Sequence, residues 1–203
     1  MDPHRAPTPQ LVFGYGSLAG HYGGPLGRRL AVTREPVPAG FVADLVGFRR
    51  GWGVAMDNRR DLPGYKYYTA ADGSRPGVFV AFLDIQPSPE GAAVVNGLCL
   101  PVGDAALEAL DRRERNYERI DVSDRVATGA AAGFRIWTYA GSAAGRDRLR
   151  QGRAAGAAVI DANYVDDVEV AFASLGEAEQ SSCSVSLDPG DLPVVPLRRH
   201  DLL

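Results

Sequence analysis

The chain has 203 residues, of which 45% are hydrophobic and 23% charged, with a net charge of −3. That is enough apolar material for a packed core in one domain, and there is no basic surplus for nucleic acid or an anionic membrane. Two cysteines, Cys99 and Cys183, are too few for a disulfide framework and point to a reducing cytoplasm.

The opening stretch, MDPHRAPTPQ, has no apolar core of the kind a signal peptide needs. No run reaches the roughly 20 apolar residues of a membrane-spanning helix. Basic residues are nearly all arginine, Lys66 being the only lysine, which reads as compositional bias. Residues 1–9 read as a flexible tail. Residues 10–14 form a short apolar run ended by glycine, the pattern of a buried strand. Between 20 and 40, glycines and prolines allow at most one short helix near 26–33.

Residues 43–56 read as a strand pair or one long bent strand. Residues 58–77 are polar and turn-rich, with Tyr65, Tyr67 and Tyr68 clustered around Lys66. With Trp52 they suit either a pocket wall or the packing of a long hairpin. Residues 78–85 and 94–102 are strand-like, rich in β-branched and aromatic residues. Asp104 can open a helix running to about residue 119. Two further strands follow within 120–127 and 134–141. Residues 140–156 read as a connector, 163–176 as a last helix, and the remainder as extended. Strands that do not alternate with helices indicate an α+β fold with a mostly antiparallel sheet or barrel.

Two stretches carry chemistry. In QLVFGYGSLAG, residues 10–20, Gly14-x-Gly16-x-x-Ala19 matches a dinucleotide fingerprint in outline. That motif needs a helix starting within it, but the helix would run through Gly20, Gly23, Gly24 and Pro25. Each glycine costs about 1 kcal/mol there and the proline about 3 kcal/mol, so the nucleotide reading fails. What remains is a strand-to-loop turn whose close N–H groups suit either an anion or carbonyl oxygen, or a purely structural role.

The second stretch is the 104–119 helix. With Leu107 at the origin of a 100° wheel, Leu110 falls at about 300°, Glu114 at about 340° and Tyr117 at about 280°. Glu114 thus lies in the apolar stripe. A carboxylate there serves either as a desolvated general base or as a partner of a neighbouring arginine. A helix ending before 114 would remove the argument altogether.

VFGYGSL (12–18), followed by LDRRERNYERIDV (110–122), resembles the γ-glutamylcyclotransferase family over roughly residues 10–140. LVGFRRGWGVAM and VNGLCLPV resemble its strands in order and character. The resemblance implies a small, mixed, mostly antiparallel β-barrel with flanking helices, and residues 141–203 then form a C-terminal extension packed on the same domain. It implies closure of a γ-glutamyl group to 5-oxoproline with release of an amino acid or amine. No metal or other cofactor is required.

By position in the motifs, Glu114 matches the family's catalytic glutamate. Tyr15, Gly16, Ser17 and Leu18 match its substrate loop, and Tyr139 and Tyr164 sit where substrate-contacting tyrosines occur. For these two, core packing is an equal reading. Arg115 stands where the commoner family form has glycine, and Tyr117 follows the glutamate closely. The substrate side therefore stays open between γ-glutamyl amino acids, γ-glutamyl amines and a protected metabolite, and a binding module without catalysis is the alternative. Expected partners are a small γ-glutamyl molecule and neither nucleic acid nor membrane, with room for a homodimer. Cys99 reads as a buried structural thiol. His4, His21 and His200 are too scattered for a metal site or a triad.

Overall fold

Leu11, Val12 and Phe13 are buried on both faces of strand β1 (Gln10–Gly14), which explains their continuous apolar run. The computed structural model describes residues 9–22, 40–89, 91–127 and 129–202. The possible short helix near 26–33, His4 and nearly all of the 1–9 tail lie outside them. β1 is the middle strand of a five-stranded sheet with β2 (Phe41–Val46), β6 (Val94–Pro101), β7 (Tyr117–Asp121) and β8 (Arg135–Gly141), in the order β2-β6-β1-β8-β7. β1 runs antiparallel to β6 and parallel to β8.

A second sheet has the order β10-β9-β5-β3, built from β3 (Phe48–Asp57), β5 (Phe79–Pro87), β9 (Ala158–Asp161) and β10 (Val194–Val195). A two-stranded ribbon pairs β4 (Lys66–Thr69) with β11 (Arg198–Asp201). Among the described residues five of the eight strand pairings are antiparallel and three parallel. The mixed, mostly antiparallel α+β expectation therefore describes the chain.

Closure does not follow. The described strands form three separate sheets, not one barrel. Gly47, at φ +82°, turns the chain out of β2, which pairs with β6, and into β3, which pairs with β5. The expected 43–56 strand pair is thus two strands in different sheets. The sheets share a core in which Leu11, Phe13 and Ile136 pack with Leu83, Ile85, Leu110 and Phe172.

The helices among the described residues are α1 (Asp104–Arg113), α2 (Ala143–Ala154), α3 (Ala162–Ala173) and α4 (Glu177–Ser184). α1 buries Leu107 and Leu110 but stops at Arg113, so the wheel that reached Tyr117 covered residues that are not helical. Asn116 breaks it: its side chain donates to Tyr65 Oη and accepts from Arg148. Its carbonyl accepts from Ser142.

Residues 140–156 contain a helix, not merely a connector. Ser142 caps it, accepting the Gly145 N–H at 3.0 Å. Its inner face includes Gly152, where a Cβ would lie 2.8 Å from Phe79 Cβ. Among the described residues no helix is long and apolar enough to cross a membrane.

Candidate active site

β1 ends in the turn at Tyr15–Gly16, and a 3-10 helix (Ser17–Tyr22) begins at once. The first N–H groups of a helical turn have no acceptor within it, so those of Ser17 and Leu18 are left for other partners. The turn is held from below. Tyr15 buries its ring and donates its hydroxyl to the Tyr139 carbonyl at 2.6 Å. The Tyr15 carbonyl accepts from Arg50 Nη1 at 3.0 Å. Tyr15 therefore offers the site its backbone, while its phenol is locked into the fold.

Over this turn lies a small recess of about 30 Å³ lined by Tyr15, Gly16, Ser17, Leu18, Glu114, Tyr117, Tyr139 and Tyr164, with Leu83 behind. All seven residues expected from the sequence thus border one hollow. They do not all present their polar atoms to it. Tyr139 commits its hydroxyl to Asp111 Oδ1 at 2.8 Å, so its ring is what remains for the recess. Tyr164 Oη sits 3.1 Å from where a Gly16 Cβ would stand, so a larger residue there would push that hydroxyl by a few tenths of an ångström. Burial pushes the Tyr164 phenol up, opposed by hydrogen bonding from Leu83 and Ser17.

Glu114 is the C-cap of α1, and its N–H donates to the Leu110 carbonyl at 2.8 Å. Its side chain is 16% exposed. Its inward position comes from this cap, followed by a turn in which the Tyr117 N–H donates to the Glu114 carbonyl at 2.9 Å. Arg113 approaches one oxygen only, with both Nε and Nη2 at 3.0 Å from Oε1.

Ser17, Glu114, Tyr117 and Tyr164 also border a second, larger cavity of about 500 Å³, a size suited to a small molecule. Its walls come from the β4–β11 ribbon, with Tyr65, Lys66, Tyr68, Arg199 and Asp201, and from the α3 start, with Asp161 and Asn163. Asp161 is spoken for, accepting the N–H groups of Asn163 and Leu197 at 3.2 and 3.1 Å. Burial raises its carboxyl above the ordinary range.

Lys66 is half-buried, with Nζ 4.1 Å from the centre of the Phe82 ring. Burial brings its ammonium down to about 7, with Arg199 adding to the effect and Glu114 opposing it. Tyr65, Lys66 and Tyr68 thus form a pocket wall, whereas Tyr67 stacks on His200 across the ribbon and Trp52 packs edge-on against Tyr164, both outside the cavity lining. Arg50 and Asn116 carry no sequence signal, because each acts through several hydrogen bonds to residues distant in the chain that leave no periodic pattern. Among the described residues no group of three or more His, Cys, Asp or Glu could hold a metal ion.

No family model matches this sequence, and no curated protein matches it. Solved structures do. One described as a γ-glutamyl cyclotransferase superposes with a TM-score of 0.53 over 90% of both chains at 18% identity. An uncharacterized human protein gives 0.54 over 94% of both chains at 17% identity. A yeast γ-glutamyl cyclotransferase specific to glutathione gives 0.52 over 91% of this chain and 100% of its own at 13% identity. Identities this low speak for architecture and not for substrate. The chain has the fold of the γ-glutamyl cyclotransferases.

Proposed function

We propose that this protein is a γ-glutamyl cyclotransferase. The observation that carries the reading is that one carboxylate, Glu114, borders both the recess of the 15–18 loop and the larger cavity. The recess has the volume of a water or two, so it receives one oxygen of the γ-glutamyl group, whose other atoms and departing portion lie in the larger cavity with the scissile amide beside Glu114.

In the reaction the substrate's α-amine attacks its own γ-carbonyl carbon. A C–N bond forms, closing the five-membered ring, and the original amide C–N bond breaks. Attack within one molecule needs a folded substrate more than an added reagent. Glu114 accepts a proton from the α-ammonium and returns it to the departing nitrogen. Arg113 bonds Oε1 alone, which fixes the carboxylate's orientation and leaves Oε2 for that transfer. The N–H groups of the 15–18 turn receive the oxyanion or the α-carboxylate. Tyr164, poised above Gly16, borders the same group.

The Arg113–Glu114 ion pair also favours a second reading, in which the pair is structural and the cavity only binds. The two readings part on one experiment. The folded protein is incubated with γ-glutamyl amino acids, glutathione and γ-glutamyl amines, and free 5-oxoproline is measured. Release from any of them supports the enzyme. Binding without release supports the module.

A further inference from the structure

The larger cavity carries charges of both signs, but most have a bonded partner. Arg113 is bound to Glu114, Arg199 to Asp201 at 2.6 Å, and Asp161 to two backbone N–H groups. Lys66 is the exception among the half-buried cations. Its Nζ makes no hydrogen bond or ion pair among the described residues. It is held instead over ring faces, 4.1 Å from Phe82, 5.6 Å from Tyr65 and 6.0 Å from Tyr68, all of which line the cavity. In a chain with 22 basic residues the single lysine stands here. A compact ammonium on an aromatic floor can turn its three donors to an incoming anion.

Resting on the cyclotransferase reading, the geometry points to Lys66 as the group that holds the carboxylate of the departing amino acid, which makes γ-glutamyl amino acids or peptides the substrates in preference to γ-glutamyl amines. The glutamyl head sets an oxygen against the 15–18 recess from within the larger cavity, the amide lies at Glu114, and the departing residue projects towards β4, where Lys66 meets its α-carboxylate. The ammonium is half-desolvated before the ligand arrives, so pairing with an anion relieves a cost already present in the empty cavity. Its lowered affinity for the proton accords with that unpaired state.

The test compares γ-glutamyl-alanine with γ-glutamyl-ethylamide, which differ only by that carboxylate. Release of 5-oxoproline is followed for wild type, Lys66→Gln and Lys66→Arg, with calorimetric binding of both compounds in parallel. The wild type favours the alanine compound by about 10-fold or more in kcat/KM, carried by KM. Lys66→Gln brings that ratio near one, and Lys66→Arg keeps most of it.

A wild-type ratio near one overturns the assignment without any variant. So does a ratio that survives Lys66→Gln. If neither compound releases 5-oxoproline, the cyclotransferase reading fails by itself and calorimetry decides Lys66 alone. A binding preference lost in Lys66→Gln upholds the anchor, and no preference, or no binding, overturns it.

Discussion

The guanidinium of Arg50, on β3, donates from Nη1 to the carbonyl oxygen of Tyr15 at 3.0 Å. The same group grips Asn96, through its carbonyl at 3.1 Å and its Oδ1 at 2.8 Å, so the turn is tied to two sheets at once. In a trans peptide the C=O and the following N–H point oppositely. Holding the Tyr15 oxygen on the Arg50 side therefore turns the Gly16 N–H to the other. Arg50 is a positioning residue.

Arg50→Lys keeps the charge but loses the fork. It is expected to raise KM for a γ-glutamyl substrate about 10-fold while kcat changes less, because the disordered turn weakens binding of the head group. Arg50→Met additionally leaves buried acceptors bare at a cost of about 1–3 kcal/mol. Steady-state kinetics and urea unfolding of the two variants separate the effects. A loss of stability in Arg50→Met with KM unmoved in both would make Arg50 structural only.

Gly97 carries a fold prediction. A Cβ there would stand 2.4 Å from the Gly14 carbonyl and 2.6 Å from Phe13 Cζ, within the paired β1 and β6 strands. Backbone on one side and a fully buried ring on the other have little room to give. Gly97→Ala should cost about 1–3 kcal/mol in urea unfolding. Gly51→Ala meets nothing within 4 Å and serves as the control.

Lys66 gives stability a pH dependence of definite sign. Burial brings its pKa from 10.5 down to about 7 in the folded chain. The facing charges are Arg199 and Arg113, which push it down, and Glu114 and Asp201, which push it up. Between the two values the unfolded chain binds more protons, so this group's contribution to stability rises with pH across that window. Below it, the full cost of the buried charge is present. Lys66→Met should therefore be more stable than wild type near about pH 6, and the gain should shrink towards about pH 10. A difference in urea midpoints that is flat over that range would contradict the burial of the charge.

Much of the fold could be read from the chain. The β1, β5 and β6 runs are apolar, bounded by glycine or proline and buried where their composition demands. α2 could not, because its packing face is built on Gly145, Leu149 and Gly152, and one leucine in three gives no apolar period. α4 has Cys183 as its single buried residue and a Ser-rich body that reads as coil. β9 is too short to register alone, and it forms by lying between β5 and β10.

At the site, the Tyr-Gly-Ser-Leu turn was visible because closely spaced glycines advertise bare backbone. The helix wheel that puts Glu114 in the apolar stripe does not apply past Arg113, while its place in the LDRRE stretch does not depend on that wheel. Its place in the cavity comes from a cap and a turn, which only the fold reveals. The single lysine, Lys66, reads from the sequence as compositional bias, and its aromatic floor joins β4 to Phe82 on β5, a contact no local pattern encodes.

The most direct test of the account follows 5-oxoproline formation from γ-glutamyl-alanine by wild type and Glu114→Gln, with calorimetric binding of the substrate to both. Loss of a general acid–base group costs about 10²–10⁴-fold in kcat, so the variant should bind within a few-fold of wild type and turn over slower by that factor. Equal turnover by the two proteins would remove Glu114 from the chemistry and the account with it.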